Sequence, residues 1–316
     1  MATEINHLAV AFDQNYVTPF YVLATSVFAN NLDSNFHIHA IVSGLSEQDK
    51  ATIRQFVEQY HSSISFYELT PEDIAGLVLP KEHYFTAAVY YRLFFPVLVP
   101  NTVEKLLYLD TDIVVIGNLS EVFHTALGNY PAGAVAEVTA TKNRPDLGIY
   151  EIGSYFNSGV MLMNVPEWRK QAISEKAIQF VRNFPEKIVW PDQDALNVAL
   201  QGNYIKLSNR FNVIPSDIPK YLPRAEYARY LRGKVIIHYT LKQHKPWNID
   251  SENKFRYLYH HYRKSSPRAR EKKYKDTAIT ARRFKTFVKL RSLELLLGIP
   301  KLAALLTLLV GEDTSW

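Results

Sequence analysis

The sequence predicts an α/β fold: a parallel-rich, doubly wound sheet flanked by helices and followed by a basic helical C-terminal extension. Three observations carry this. Apolar runs of strand length alternate with stretches of helical spacing along the body. The composition, 47% hydrophobic and 21% charged over 316 residues, is that of a globular chain and excludes a disordered or collagen-like one. The positive charge is gathered near the end of the chain rather than spread over it. Residues 7–12 form the first apolar run, stopped by Asp13-Gln14-Asn15, and residues 16–31 then place Phe20, Leu23, Ala24, Val27 and Phe28 at helical spacing. Residues 36–42 read as a second strand, 46–61 as a helix opened by Ser46-Glu47-Gln48-Asp49, and 64–69 as a third strand. The sheet is expected to continue through 105–109, 133–138 and 159–164, with a late strand at 234–238. In such a fold ligands gather at the carboxyl ends of the strands.

Several chemistries are excluded by what the chain lacks. With no cysteine, disulfides, zinc–thiolate sites, iron–sulfur clusters and thiol catalysis are all ruled out, and any metal must use Asp, Glu, His or carbonyl ligands. No Gly-x-Gly-x-x-Gly follows the first strand and no P-loop is present, which argues against a dinucleotide dehydrogenase or an NTPase. Met1-Ala2-Thr3-Glu4 begins no secretory signal, so a reducing, cytoplasmic setting is expected. Residues 263–291 carry twelve Lys or Arg against Glu271 and Asp276, a local net of +10; with +5 for the whole chain, the remainder carries −5. The basic run leads into leucine-rich stretches, the last of them at 302–310 and far short of the ~20 residues that span a bilayer. The pattern suits a segment, 263–310, lying on an anionic membrane surface; a helical subdomain packed on the body is the alternative. No nucleic-acid module is recognisable in the body, so nucleic acid is not an expected partner.

The segment Leu107-Tyr108-Leu109-Asp110-Thr111-Asp112-Ile113-Val114-Val115 is the most informative. Two acids at i and i+2 in an apolar strand point the same way, and their mutual repulsion calls for a cation between them. Oxygen ligands of this kind favour Mg²⁺ or Mn²⁺. A strand terminus in which Asp110 caps a turn and Asp112 is solvated is the plainer reading.

The order and spacing of six motifs resemble family 8 glycosyltransferases, the GT-A group that includes bacterial lipopolysaccharide α-galactosyl- and α-glucosyltransferases. They are Ala11-Phe12-Asp13-Gln14-Asn15-Tyr16, Tyr90-Tyr91-Arg92-Leu93, the Asp110-Thr111-Asp112 segment, Tyr155-Phe156-Asn157-Ser158-Gly159-Val160, Asp192-Gln193-Asp194-Ala195-Leu196-Asn197, and His238-Tyr239 leading to Lys245-Pro246-Trp247. The resemblance covers about residues 6–250 and implies a GT-A catalytic domain over 1–262 with the basic segment 263–316 beyond it. It implies a UDP-hexose donor and Mn²⁺, with Mg²⁺ as the other candidate. By the same resemblance Asp110, Asp112 and His238 are the metal ligands. Ala11, Asp13, Asn15 and Tyr16 face the uracil and ribose; Arg92, Thr111 and Lys245 bind the donor; and Asn157, Asp192 and Gln193 surround the transferred sugar and act in catalysis. Gln193 lies under the anomeric carbon, where its amide is a poor nucleophile. Since the family retains configuration, same-face displacement through an oxocarbenium-like pair is the expected route. Glu137 falls near the acceptor, and the loop 139–154 reads as a lid.

One motif departs from the family's His-Tyr-x-Gly-x-x-Lys-Pro-Trp. Here His238-Tyr239-Thr240-Leu241-Lys242-Gln243-His244-Lys245-Pro246-Trp247 lacks the glycine and carries one extra residue, which predicts a different loop path and makes Lys242 a rival to Lys245. The expected activity is hexosyl transfer to a saccharide acceptor, lipopolysaccharide or another lipid-linked glycan, on the inner face of the cytoplasmic membrane. A self-glucosylating initiator of the glycogenin kind, using one of twenty tyrosines, and a catalytically silent nucleotide-sugar-binding protein are the alternatives.

Overall fold

The computed structural model describes residues 5–79, 86–137, 143–274 and 280–299; the apolar run 302–310 and residues 139–142 of the expected lid lie outside them. Nine strands occur among the described residues: β1 (Ile5–Asp13), β2 (Asn35–Ser43), β3 (Ser63–Tyr67), β4 (Lys105–Leu109), β5 (Ile113–Val115), β6 (Ala132–Ala136), β7 (Phe156–Asn164), β8 (Ile205–Lys206) and β9 (Ile236–His238). Seven build one sheet in the order β3-β2-β1-β4-β7-β6-β8, and β5 and β9 pair separately. The parallel pairs β1–β2, β2–β3, β1–β4 and β6–β8 are those expected of βαβ units, but β7 runs antiparallel to both its neighbours, so the sheet is mixed.

Strand periodicity sets the two faces. Leu8, Val10 and Phe12 of β1 join Ile38, Ala40 and Val42 of β2 in one core, against the helices Val17–Ala29 and Glu47–Glu58. Ala9, Ile41, Leu106 and Tyr108 join the other core, against the helices Ile173–Asn183 and Pro191–Leu200. The second helix starts where Ser46 and Asp49 exchange hydrogen bonds in a capping box, as its sequence signals. The first helix is buried nearly all round because a third cluster closes over its outer side, where Val22 joins Tyr259 and Tyr262 of the helix Arg256–Ser265. Each large apolar side chain buried this way contributes about 1.5–3 kcal/mol.

The Asp-x-Asp segment corrects its sequence reading. Asp110 and Asp112 do not lie within one strand; they flank the turn by which the chain leaves the main sheet after β4 and enters the small sheet as β5. The reason is pairing: the Asp110 N–H still donates to the Gly159 carbonyl of β7 at 2.9 Å, whereas Ile113 already faces His238 of β9. This crossing sets both carboxylates beside His238.

The C-terminal helix Ala281–Leu297 is tied to the body by paired hydrogen bonds of Arg283 to Asp250 (3.0 and 2.7 Å) and of Arg256 to Glu294 (2.6 and 2.7 Å). No helix among the described residues is long and apolar enough to cross a membrane.

Candidate active site

Where β1 and β4 end and the antiparallel β7 begins, a cleft of about 1990 Å³ opens, about twice the upper end of the range of ordinary small-molecule pockets. Ala11, Asp13, Tyr16, Arg92, Asp110, Thr111, Asp112, Asn157, Asp192, Gln193, His238 and Lys245 all line it. Asn15 does not. It sits exposed at the turn, where its N–H donates to Asp13 Oδ1 at 2.8 Å, so Asp13 caps the turn while also facing the cleft. The Tyr16 ring stands edge-on to Trp247, with centroids 5.7 Å apart, which joins the first motif to the last.

At the centre His238 Nε2 lies 3.3 Å from Asp112 Oδ1 and 3.6 Å from Asp110 Oδ2. These three are the group among the described residues whose ligand atoms converge on one point. Two carboxylates and one imidazole form a donor set that fits a divalent cation. The backbone is fitted to the same group: a Cβ on Gly159 would stand 2.2 Å from His238 Cε1 and 2.6 Å from Asp110 Oδ2, so only glycine lets β7 pass so close beneath these side chains. Lys245 also ion-pairs with Asp112. Burial pushes the Asp112 carboxyl up, but Lys245 and His238 overcome it and hold it well below the usual carboxylate range.

Arg92 organises the opposite wall. Its guanidinium donates to Asp110 Oδ1 at 2.8 Å, lies 3.0 Å from Asp192 Oδ2, donates to the Ser158 carbonyl at 2.9 Å and stacks over the Tyr108 ring at 4.6 Å. Burial would lower its basicity, yet Asp110 and Asp192 raise it further, so the charge is permanent. Arg92 thus bridges Asp110 and Asp192. Asp192 accepts from Ser158 Oγ at 2.6 Å; burial raises its pKa against the pull of Arg92 and Ser158.

Asp192 and Gln193 open the helix Pro191–Leu200, and Asp194 anchors its start. Fully buried, Asp194 accepts from the Val189 and Trp190 N–H groups (2.8 Å each), from Tyr155 (2.6 Å) and from Arg144 (2.7 Å). Arg144 thereby ties residues 143–147 of the expected lid to the helix that carries Asp192 and Gln193. Asn157 Nδ2 donates to Gln193 Oε1 at 3.0 Å, and both amides approach Glu137 Oε1 at 3.4 Å.

Asn212 belongs to this constellation but carried no signal in the sequence, being a lone asparagine outside any motif. Buried at 1% exposure, it accepts from His238 Nδ1 at 3.0 Å and donates to Asn157 Oδ1 at 2.9 Å.

The loop that departs from the family pattern is explained by one residue. Leu241, at the family's glycine position, takes φ +64° and ψ 149°, a conformation that glycine adopts freely and leucine at a cost of about 1–3 kcal/mol. The loop therefore keeps a glycine-type backbone turn without the glycine. Leu241→Gly is expected to raise stability by about 1 kcal/mol, read as an upward shift of the thermal midpoint. Lys245 reaches the cleft, whereas Lys242 does not line it. His244 lines it too, with its pKa lowered to about 4 by burial and by Lys245 and Lys254, and so is neutral at pH 7.

The model of "Glycosyl transferase family 8" matches residues 7–251 of this chain. The chain is a family 8 glycosyltransferase. Among its relatives, General stress protein A of Bacillus subtilis is 27% identical over 272 residues, covering 82% of this chain and 93% of that one. A lipopolysaccharide 1,2-glucosyltransferase of Escherichia coli K12 is 29% identical over 257 residues, 78% of this chain and 74% of its own. The crystal structure of the galactosyltransferase LgtC with donor and acceptor sugar analogues superposes with a TM-score of 0.71 at 24% identity, covering 89% of this chain and 99% of that one. That likeness establishes the GT-A fold. The glycosyltransferase accordingly has a nucleotide-sugar donor and a glycan acceptor as its reactants.

Proposed function

We propose that this enzyme transfers glucose or galactose, with retention of configuration, from a UDP-hexose to a saccharide acceptor on lipopolysaccharide or another lipid-linked glycan. The observation that carries the reading is the convergence of Asp110, Asp112 and His238 over a backbone that only Gly159 allows, beside Asp192 and Gln193 in one cleft. Relatives named lipopolysaccharide 1,2-glucosyltransferase and lipopolysaccharide 1,3-galactosyltransferase support the acceptor class and both donor sugars. Asp110, Asp112 and His238 hold Mn²⁺, with Mg²⁺ as the substitute. When bound, the cation offsets the charge that develops on the UDP leaving group.

The chain's own residues do the rest. Ala11, Asp13 and Tyr16 hold the uracil and ribose, Asn15 standing outside the cleft, and Lys245 and Thr111 face the diphosphate. Arg92 pairs with both Asp110 and Asp192 and holds them in place. Asp192 accepts hydrogen bonds from the sugar hydroxyls, and Asn157 fixes Gln193 beneath the anomeric carbon. The bond from that carbon to the diphosphate oxygen breaks, the acceptor oxygen bonds to the same face, and its proton passes to the departing phosphate oxygen. Gln193, an amide, stabilises the positive charge on the sugar ring without forming a covalent bond.

Residues 1–262 form the catalytic domain and 263–310 the membrane-docking segment, which would hold the enzyme at the inner face of the cytoplasmic membrane. Phe284, Val288 and Leu295 support this reading: at i, i+4 and i+11 they share one face of the C-terminal helix and are 55%, 45% and 75% exposed, within a strongly basic segment.

The test is hydrolysis of a panel of UDP-, GDP- and ADP-sugars without acceptor, in Mn²⁺ against EDTA. Metal-dependent release of UDP from UDP-glucose or UDP-galactose is expected. Failure to bind UDP would overturn the proposal, and hexose increments on the intact protein would favour the self-glucosylating alternative.

A further inference from the structure

We infer that Asn212 is a positioning residue that ties the metal site to Gln193 through a one-directional chain of side-chain amides. For His238 Nε2 to offer its lone pair toward Asp110 and Asp112, the ring proton must sit on Nδ1. Nδ1 lies 3.0 Å from Asn212 Oδ1, so the asparagine oxygen must face the ring. The Asn212 amide nitrogen then points the other way and donates to Asn157 Oδ1 at 2.9 Å. With its oxygen thus engaged, Asn157 donates from Nδ2 to Gln193 Oε1 at 3.0 Å. Gln193 is left with Nε2 toward Glu137, whose Oε1 lies at 3.4 Å.

Two backbone groups fix the same direction independently. The Gly159 N–H donates to Asn157 Oδ1 at 3.0 Å, and the Ser158 N–H donates to Gln193 Oε1 at 3.3 Å. Reversing Asn157 would set its NH₂ against the Gly159 N–H and the Asn212 NH₂, and its oxygen against Gln193 Oε1. Asn212, the link between His238 and Asn157, is 1% exposed and does not line the cleft, so neither of its amide groups can turn to water for a replacement partner. Asn212 is also held at its backbone: the next residue, Val213, accepts from the His238 N–H at 2.9 Å and donates to the Ile236 carbonyl at 3.0 Å, which keeps it beside β9. The imidazole that faces the metal position and the amide that faces the sugar therefore share one orientation constraint.

This inference rests on the metal assignment proposed above, and two substitutions separate its parts. Asn212→Asp keeps the acceptor for His238 Nδ1–H but removes the donor to Asn157. Asn212→Leu removes both. Mn²⁺ binding to the full-length protein without nucleotide, followed by the electron paramagnetic resonance signal of free Mn²⁺, is measured beside Mn²⁺-dependent UDP-hexose hydrolysis and the thermal midpoint. Asn212→Leu should weaken Mn²⁺ binding by about 10–100-fold. Asn212→Asp should bind Mn²⁺ at least as tightly as the wild type, while its hydrolysis rate falls by about tenfold or more. Wild-type Mn²⁺ affinity in Asn212→Leu, wild-type turnover in Asn212→Asp, or losses in both variants that only follow their thermal midpoints would each overturn the inference. Mn²⁺ binding by the wild type that is lost in Asp110→Asn supports the metal assignment whatever the Asn212 variants do; absence of binding, or binding unchanged in Asp110→Asn, overturns that assignment and the inference with it.

Discussion

Asp112→Asn is expected to lower Mn²⁺-dependent release of UDP from UDP-hexose by about 10³-fold, and excess Mn²⁺ should not restore it. Asp112 is buried, lies 3.3 Å from His238 Nε2 and ion-pairs with Lys245. The amide removes one of the two negative charges that would hold the cation. It also removes the carboxylate with which Lys245 ion-pairs. Loss of a metal that offsets leaving-group charge costs several kcal/mol in the transition state; about 4 kcal/mol corresponds to the thousandfold change. Steady-state UDP release over a Mn²⁺ titration checks this, with the far-ultraviolet circular dichroism of the variant confirming that it is folded. Turnover within tenfold of wild type would show that Asp112 is not a ligand.

Gly159→Ala is the second large effect, and it comes from a single methyl group. The added carbon would stand 2.2 Å from His238 Cε1, 2.6 Å from Asp110 Oδ2 and 2.9 Å from His238 Nδ1. Neither neighbour can withdraw easily. His238 is paired across β5–β9 and bonded to Asn212, while Asp110 accepts from Arg92 and from Tyr108 at 2.7 Å. Overpacking of this kind costs about 1–3 kcal/mol of stability. Because the groups that must shift are the candidate ligands themselves, Mn²⁺ affinity should fall by about tenfold or more. Gly133→Ala provides the contrast: its Cβ would meet Leu127 and Leu207 side-chain carbons at 3.2 Å, so a modest loss of stability with unchanged Mn²⁺ affinity is expected. Equal Mn²⁺ affinity in wild type and Gly159→Ala would remove the argument that β7 is shaped around a metal.

The fold was legible wherever one periodicity ran unbroken. The alternation in β1 and β2, the helix between them and the capping box at Ser46 all follow from local pattern, and the structure returns them with ends shifted by a few residues. The direction of β7 was not legible, because an apolar strand reads the same whether its neighbours run parallel or antiparallel to it. Nor was the break between Asp110 and Asp112: a change of sheet depends on the late partner β9, more than a hundred residues away.

The candidate site divides the same way. Asp110 and Asp112 stand out as charges set in an apolar run, and motif order brought in His238, Arg92, Asn157 and Gln193. Arg92, expected to bind the donor, lines the cleft, and the structure adds its ties to Asp110, Asp192 and Ser158, contacts across the sheet that no spacing encodes. Asn212 left no trace because a single buried polar residue has no period. Leu241 shows another limit: at the motif's glycine position the backbone holds a positive φ at the cost of strain, which a leucine in the sequence does not signal.

UDP binding in the presence and absence of Mn²⁺ is the most direct measurement of the central claim, that Asp110, Asp112 and His238 hold the cation against the donor's diphosphate. Isothermal titration of the full-length protein with UDP, in Mn²⁺ and then in EDTA, should show binding that depends on the metal and is lost in Asp110→Asn. UDP binding of equal strength in EDTA, or unchanged in Asp110→Asn, would contradict the account.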